Sequence, residues 1–264
     1  MELAPDLAAD ILAAALAGRA VRVYPAMLST EADALAWARA GAPSGAVVVA
    51  HYQASARGRA GLEWKVEPGL GLGFSLVLRP SLAAEREGWL YTAAVSGLAD
   101  VVGPAATIGW PDEVWQVGVR AAAVGVHAEL GPEGVAWATV TVLVPEAVPP
   151  RAALLARVLA AIEERMQTPP REVLDGYRAR CTTLGQRLAA RLIPMGPSGV
   201  VVTGTAADLR DDGSLVIVTD EGRRVAVPPQ HLGVLDTPCD NDAADVGSTV
   251  WLPQGGVGRK PPDV

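Results

Sequence analysis

The sequence predicts an α+β protein, in which helices flank a mixed or largely antiparallel sheet and a small SH3-like β-barrel follows. Helical and strand patterns succeed each other up to residue 180 without the regular alternation of a parallel βαβ sheet. From about residue 192, short apolar runs are instead joined by Asp-Gly and Glu-Gly turns, which are typical of hairpins. Half of the residues are hydrophobic and 19% are charged, so the chain can build a packed core.

The spacing of apolar residues predicts the elements of the larger part. Apolar positions at helical spacing and clusters of β-branched residues separate helices from strands. The expected helices are 6–18 (ending at Gly18), Thr30–Trp37 with Ser29 or Thr30 as N-cap, 87–102, Ala152–Met166 and Arg171–Arg180. The expected strands are Val21–Tyr24, 46–53, 72–79, 105–109, 121–129 and 135–144.

The smaller part begins where the sequence changes to short apolar runs joined by turn residues. Short strands are expected around 200–205, 214–219 and 223–227, and the segment after Leu235 has few apolar residues. We therefore expect a main domain over residues 1–188, a C-terminal barrel over 189–235 and a flexible tail over 236–264.

Composition excludes several classes of protein. The net charge is −7 and no long basic block is present, which argues against a nucleic-acid partner. Two cysteines, Cys181 and Cys239, form neither a disulfide framework nor a metal pattern, and the three histidines are scattered. The apolar run Ile11–Leu16 is too short to cross a bilayer, and the N-terminus lacks the basic start of a signal peptide. These features predict a cytoplasmic protein without a membrane partner.

The segment Arg57-Gly58-Arg59-Ala60-Gly61-x-x-Trp64 lies between two apolar runs and carries the clearest chemical signal. Glycine lets backbone amides approach a ligand closely, and guanidinium groups match phosphate and carboxylate geometry. The segment therefore indicates a cationic loop that can fold over an anion. An exposed basic hairpin is the structural alternative for so short a motif.

This loop resembles the biotinyl-adenylate loop of the biotin protein ligases, and other family motifs accompany it in order. Ser29-Thr30 before a helix resembles the family's Ser-Thr segment, and Gly109-Trp110-Pro111-Asp112-Glu113 resembles its Lys-Trp-Pro-Asn-Asp element. The segment Tyr177–Gly185 and the β-rich part after it are similar to the family's C-terminal region. The resemblance extends from about Ser29 to Leu235, and only 28 residues precede it. The DNA-binding winged helix of some family members is therefore not expected.

The resemblance implies biotin and ATP as substrates, Mg²⁺ as cofactor and a biotin carboxyl carrier domain of a carboxylase as partner. The implied catalytic residues are Arg57, Arg59 and Arg120. The residues implied in binding biotin or its adenylate are Ser29, Thr30, Gln53, Arg57, Gly58, Arg59, Gly61, Trp64 and Trp110. Ordinary core packing is an alternative role for the two tryptophans, and Glu113 is the implied Mg²⁺ ligand.

The sequence departs from the family's pattern at the ATP-facing positions. Gly109 stands where the family has a lysine, and Asp112-Glu113 replaces Asn-Asp. The family's second lysine corresponds to Arg120 by an ungapped count from Trp110, or to Ala122 if Gly125 is aligned with the strand's glycine. The family's Gly-x-Gly-x-Asn strand is replaced by Thr139-Val-Thr-Val-Leu-Val.

Two hypotheses follow for the function. The first is an ATP-dependent ligase that forms biotinyl-5′-AMP and transfers biotin to a carrier lysine. The second is a catalytically inactive relative, a pseudoenzyme, that binds biotin, biotinyl-adenylate or a carrier domain as a sensor or partner. A ligase for lipoate or another acid is disfavoured by the Arg57-Gly58-Arg59 loop, and homodimerisation is left open.

Overall fold

The computed structural model describes residues 4–62, 64, 66 and 69–237. All but the first two residues of the expected tail over 236–264 lie outside this range, and so does Cys239. No helix among the described residues is long and apolar enough to cross a membrane.

A seven-stranded mixed sheet forms the centre of the main domain. Its strands are β1 (Val21–Tyr24), β2 (Val47–Ala50), β3 (Leu72–Leu78), β4 (Thr107–Gly109), β5 (Glu113–Gln116), β6 (Val119–Gly131) and β7 (Gly134–Val144). They lie in the order β1-β2-β3-β7-β6-β5-β4. Only the β1–β2 pair is parallel among these described strands, so the predicted mixed, largely antiparallel sheet is confirmed.

The long hairpin β6–β7 gives the sheet two distinct faces. Ala122, Val124 and Val126 of β6 pack into the main hydrophobic core. Since side chains alternate along a strand, Ala123 and Gly125 face the opposite side. That second side carries the loop between β2 and β3, and Ala123 packs there against Trp64.

The described residues form five α-helices: α1 (Ala9–Ala15), α2 (Thr30–Arg39), α3 (Trp89–Val102), α4 (Arg151–Gln167) and α5 (Pro170–Arg180). Helix α3 is buried over most of its length, because its sequence is apolar on almost every face and it packs against both α4 and the sheet. Helix α2 packs on the other side of the sheet against β3 and β7, where it forms a smaller apolar cluster.

The chain before α1 differs from the predicted helix over 6–18. A 3₁₀ helix, Pro5–Leu7, comes first, and Ala8 is extended before α1 begins. The Asp6 carboxylate accepts hydrogen bonds from the backbone nitrogen, Nε and Nη2 of Arg151 at 2.9, 3.0 and 2.8 Å. Because Arg151 opens α4, this ion pair ties the N-terminus to the main domain.

The C-terminal part is a five-stranded antiparallel sheet. Its strands are β8 (Arg187–Leu192), β9 (Val201–Leu209), β10 (Leu215–Val218), β11 (Arg224–Val227) and β12 (Leu232–Asp236). They lie in the order β11-β10-β9-β8-β12. The predicted domain start at residue 189 falls inside β8, whose sequence Arg-Leu-Ala-Ala-Arg-Leu gave little sign of a strand.

Candidate functional site

The loop that follows β2 folds back on itself as a short hairpin, and we call its residues 54–62 the flap. Gly58 donates its N–H to the carbonyl of Leu62 at 2.8 Å, and Trp64 donates to the carbonyl of Ala56 at 3.0 Å. Arg59–Gly61 form a single 3₁₀ turn, in which Gly61 has a positive φ of 71°. The flap is therefore a hydrogen-bonded element, with Arg57 before the turn and Arg59 as the first residue of the turn.

The flap backbone lies directly on strand β6 at Gly125. A Cβ atom at position 125 would lie 3.0 Å from the carbonyl carbon of Gly58 and 3.3 Å from the nitrogen of Arg59. Only a residue without a side chain allows so close an approach. The lack of a side chain at Gly125 thus allows the flap backbone to contact the sheet.

Replacing Gly125 with alanine is expected to lift the flap. The added methyl group meets backbone atoms, which cannot move aside by a rotamer change, so we expect a loss of roughly 1–3 kcal/mol in the free energy of unfolding. Urea unfolding measures the loss, and limited trypsin digestion reports whether the flap becomes accessible. Gly176→Ala is the control, since a Cβ there meets no atom within 4 Å. Equal resistance of the Gly125→Ala flap and the wild-type flap to trypsin would contradict this role of Gly125.

Ser29, Thr30 and Gln53 meet beside the first turn of α2. Gln53 Oε1 accepts hydrogen bonds from the backbone N–H of Thr30 at 2.8 Å and from its Oγ1 at 3.1 Å. Ser29 occupies the N-cap position but makes no side-chain capping bond. The predicted capping role is thus filled by Gln53 from a neighbouring loop, and the Ser29 hydroxyl does not take part in it.

A row of hydroxyl groups continues from Thr30 across the sheet. Ser75 Oγ donates to Thr30 Oγ1 at 3.0 Å and shares a 2.8 Å hydrogen bond with Thr141 Oγ1. Ser29 Oγ and Thr139 Oγ1 are buried and have no hydrogen-bond partner within the described part of the chain. A buried hydroxyl without a partner costs free energy, so these two groups are suited to meet a polar ligand.

The two flap arginines lie in different surroundings. Arg57 is exposed, and its Nη1 donates to the carbonyl of Gly61 at 2.9 Å. Arg59 is only 9% exposed, and its Nη1 donates to the carbonyls of Leu232 and Gly233 in β12 at 2.6 and 2.8 Å. Its Nε lies 3.2 Å from Asp112 Oδ2. The side chain of Arg59 thus reaches the C-terminal sheet.

Asp112 is the buried counter-charge of Arg59. It is 7% exposed, and burial raises the pKa of its carboxyl group to about 6, although Arg59 acts in the opposite direction. The neighbouring Glu113 adds to the rise in the pKa. Desolvation therefore outweighs the attraction of the guanidinium at this carboxylate.

Arg120 joins the flap to β5 through a mixed cluster. Its guanidinium lies 3.8 Å from the ring centroid of Trp64, and its Nη1 lies 2.7 Å from Glu113 Oε1. Trp115 Nε1 donates to the other oxygen of Glu113 at 3.1 Å. Ala122, the other candidate for the family's lysine position, is fully buried in the main core. Of these two positions, Arg120 places a cation beside the flap.

Trp110 connects the main domain to the C-terminal part. Its backbone N–H donates to Thr183 Oγ1 at 2.9 Å, and its indole Nε1 donates to the carbonyl of Gly213 at 3.0 Å. It is buried and also lines a cleft of about 430 Å³, together with Arg59, Asp112 and Glu113. Core packing and a position at the cleft wall therefore coexist in this residue.

A second cleft of about 370 Å³ lies on the other side of the flap turn. Its lining is mainly polar and includes the flap residues 58–61 with Glu31, Glu87 and His127. Burial raises the pKa of both glutamates and lowers the pKa of His127. Neither of the two clefts is lined by Ser29, Thr30 or Gln53.

The carboxylates at 112 and 113 do not fit a Mg²⁺ site as they stand. Both oxygens of Glu113 are engaged, by Arg120 and by Trp115. Asp112 is paired with Arg59. Within the described residues, no group of three or more metal-ligating side chains comes together.

Sequence reasoning missed Asp112 as the partner of Arg59, and it missed the hydroxyl row. Ser75, Thr139 and Thr141 were identifiable in principle, since polar residues at alternate positions of apolar strands indicate a polar face. The pairing of Arg59 with β12 joins residues more than 170 positions apart. Local sequence carries no signal for such a contact.

Comparisons with known proteins find sequence relatives over part of the chain. No family model matches the chain. The bifunctional ligase/repressor BirA of Bacillus subtilis is 30% identical over 120 residues, which are 44% of this chain and 36% of that protein. The BirA of Bacillus spizizenii is 32% identical over 109 residues, which are 40% and 33% of the two chains. The chain thus matches about a third of the length of these relatives.

Solved structures extend the similarity in fold to most of the chain. A biotin protein ligase from Aquifex aeolicus, in complex with biotin and ATP, superposes with a TM-score of 0.60 at 20% identity, covering 83% of this chain and 99% of that one. A biotin protein ligase-like protein of unknown function from a Silicibacter species gives 0.59 at 14% identity, covering 87% and 97%. Biotin acetyl coenzyme A carboxylase synthetase from Helicobacter pylori, with bound biotinylated ATP, gives 0.56 at 19% identity, covering 78% and 99%. This chain is therefore similar in sequence to BirA over part of its length, and it shares the fold of the biotin protein ligases over most of it.

Proposed function

We propose that the chain activates biotin with ATP and transfers it to a lysine of a carrier domain in the cytoplasm. The observation that carries this proposal is the flap, with Arg57-Gly58-Arg59 folded over the sheet beside Ser29, Thr30 and Gln53. The similarity to ligases that hold biotin and ATP supports it. Two arginines and two unpartnered hydroxyls near one loop suit a ligand with a carboxylate and a polar ring.

The proposed reaction has two steps. A carboxylate oxygen of biotin attacks the α-phosphorus of ATP, the bond to the β-phosphate oxygen breaks, and pyrophosphate leaves. The amine of the acceptor lysine then attacks the acyl carbon, loses a proton, and AMP leaves. The protein's task is to hold two anions together and to offset the developing charge, so fixed cations carry most of the rate.

Each candidate residue has a proposed part in this reaction. Ser29 and Gln53 hold the ring of biotin, and Arg59 and Arg57 contact the carboxylate and α-phosphate. Trp64, already covered by Arg120, packs against the nucleotide. Any Mg²⁺ would arrive with ATP, and no step here depends on a protein ligand to it.

The ion pairs made by two nearby cations support a second candidate function. Arg59 is neutralised by Asp112 and Arg120 by Glu113, so neither offers an uncompensated charge to a triphosphate. Losing one preorganised charge stabiliser typically costs about 10²–10³ in rate. The alternative is therefore an inactive relative that binds biotin, its adenylate or a carrier domain.

A labelling assay separates the two functions. The purified chain is mixed with biotin, ATP, Mg²⁺ and a biotin carboxyl carrier domain, and labelled carrier is measured beside an authentic ligase. Labelled carrier supports the ligase. No label, combined with biotin binding by calorimetry, supports the inactive relative. No label and no binding to biotin, a non-hydrolysable adenylate or a carrier domain would contradict both.

Replacing Arg59 with alanine is expected to weaken binding of a non-hydrolysable biotinyl-adenylate by roughly 1.5–3 kcal/mol, the contribution of a hydrogen bond to a charged group. Calorimetry on the folded variant measures the affinity. Arg187→Ala is the control, because it removes an arginine whose ion pair with Asp220 lies on the exposed C-terminal sheet. An unchanged affinity of the Arg59 variant would remove Arg59 from the site.

A further inference from the structure

Among the described residues, the hydrogen bonds between the flap and the C-terminal sheet come from the guanidinium group of Arg59. Arg59 sends Nη1 to the carbonyls of Leu232 and Gly233, while its Nε faces Asp112. All of these groups are buried or half-buried, and the contact spans more than 170 residues of sequence. Water competes poorly for such bonds, so they hold the side chain firmly.

A β-bulge in β12 positions the two carbonyl groups that accept hydrogen bonds from Arg59. The register of β12 against β8 shifts between Leu232 and Val234, which leaves Gly233 as the extra residue. A bulge re-aims backbone groups at the edge of a strand, and here two successive carbonyls serve one nitrogen. A Cβ at Gly233 would meet the side chain of Met195, which is half exposed and would have to move aside.

Asp112 fixes the other side of the guanidinium. It lies between β4 and β5, and its own carbonyl accepts a hydrogen bond from the N–H of Val124 in β6 at 2.9 Å. The carboxylate is thus attached to the main sheet, whereas the two carbonyls belong to the C-terminal sheet. Flap, main sheet and C-terminal sheet meet at Arg59.

We propose that Asp112 and the β12 bulge are positioning elements that latch the flap through Arg59, so that the C-terminal sheet sets the flap's position before any ligand arrives. The hydrogen bonds to β12 use Nη1 and the ion pair with Asp112 uses Nε, and no hydrogen bond from Nη2 is seen among the described residues. Nη2 is the donor left for a ligand anion. This inference deepens the proposed function, because it assigns the C-terminal sheet a part in shaping that same site.

Hydrogen exchange of the ligand-free protein tests the latch. The readout is the exchange rate of amides in residues 57–62, compared with that of amides in β3 and β7. In Asp112→Ala we expect flap exchange to rise about 10- to 100-fold, as expected when one partner of a buried ion pair is removed. The strands of the main sheet should exchange as in the wild type. Asp112→Asn keeps an oxygen facing Arg59 and should restore part of the protection.

Two further variants make the test independent of one substitution. Arg59→Gln removes the guanidinium and should raise flap exchange as Asp112→Ala does. Asp220→Asn is the matched control, since it breaks an exposed arginine pair of the C-terminal sheet with Arg187 and should leave the flap unchanged. If Asp112→Ala fails to fold, the comparison of Arg59→Gln with Asp220→Asn decides the question.

Either of two results would overturn the latch. One is unchanged flap exchange in both Asp112→Ala and Arg59→Gln. The other is an equal rise in flap and strands, which means a general loss of stability. Because the measurement needs no biotin or ATP, a protein without ligase activity can still show the latch, and an active one can lack it.

Discussion

Replacing Asp6 with alanine is expected to lower the free energy of unfolding by about 3–5 kcal/mol, the usual cost of leaving one member of a buried ion pair without its partner. Arg151 is 2% exposed, and without Asp6 it keeps, among the described residues, one side-chain hydrogen bond, to the carbonyl of Gly71 at 3.1 Å. Since domains of this kind are typically stable by about 5–15 kcal/mol, the loss is a large share of the total.

The pH dependence of the same pair has a definite sign. Hydrogen bonds from Arg151 lower the pKa of Asp6 from 3.8 to about 2. The folded protein therefore releases this proton more readily than the unfolded chain, so the pair stabilises above pH 4 and its contribution is lost as the pH falls toward 2. Allowing for screening by solvent, the contribution is roughly 1–2 kcal/mol.

Urea unfolding of three variants tests the Asp6 prediction. Asp6→Ala should be strongly destabilised, whereas Asp6→Leu combined with Arg151→Met should lose much less, because no charge remains buried. Asp33→Ala is the control, since it removes a partner of the more exposed Arg22. A loss below 1 kcal/mol in Asp6→Ala would contradict a structural role for this pair.

Replacing Asp112 with asparagine is expected to raise the free energy of unfolding at neutral pH. The pKa of Asp112 is raised from 3.8 to about 6, mainly by burial. Between pH 4 and 6 the folded state binds more protons than the unfolded chain, so the wild type loses stability as the pH rises through this window. The shift corresponds to roughly 2–3 kcal/mol.

The comparison of Asp112→Asn with the wild type isolates the effect of ionising Asp112 on stability. The two proteins should be similar near pH 4, where Asp112 is protonated, and the variant should be the more stable by roughly 2–3 kcal/mol at pH 7. Urea unfolding at pH 4, 5.5 and 7 measures the difference. A difference that does not change with pH, or one of opposite sign, would contradict a costly buried carboxylate.

The Asp6–Arg151 and Asp112–Arg59 ion pairs differ in their effect on stability. Arg151 stabilises the ionised form of Asp6 more than burial destabilises it. At Asp112, burial destabilises the ionised form more than Arg59 stabilises it. A buried pair that costs stability is understandable where it fixes a functional group in one position. This is the physical background of the proposed latch.

Local sequence predicted the order and type of most elements. The hydrophobic spacing of Ala152–Met166 corresponds to α4, and Val21–Tyr24 is β1 as expected. The short strand Glu113–Gln116 was missed, because four residues with a mixed pattern carry no strand signal of their own. It forms because β6 is long enough to pair with it beyond the edge of β7.

The candidate site could be predicted only in part. The flap motif located Arg57 and Arg59 on one loop, but it did not indicate that one is exposed and the other buried against β12. That difference depends on tertiary contacts of Arg59 with Asp112 and Gly233, which no periodicity encodes. The hydroxyls of Ser75 and Thr141 come together because β3 and β7 pair in a register that places them opposite each other.

Exchange of labelled pyrophosphate into ATP tests most directly whether this chain forms an acyl-adenylate from biotin. The purified protein is incubated with ATP, Mg²⁺ and labelled pyrophosphate, with and without biotin, and no carrier domain is present. We expect label to enter ATP only when biotin is added, and to a much smaller extent in Arg59→Ala. Absence of biotin-dependent exchange, under conditions where an authentic ligase shows it, would contradict the proposed activation of biotin.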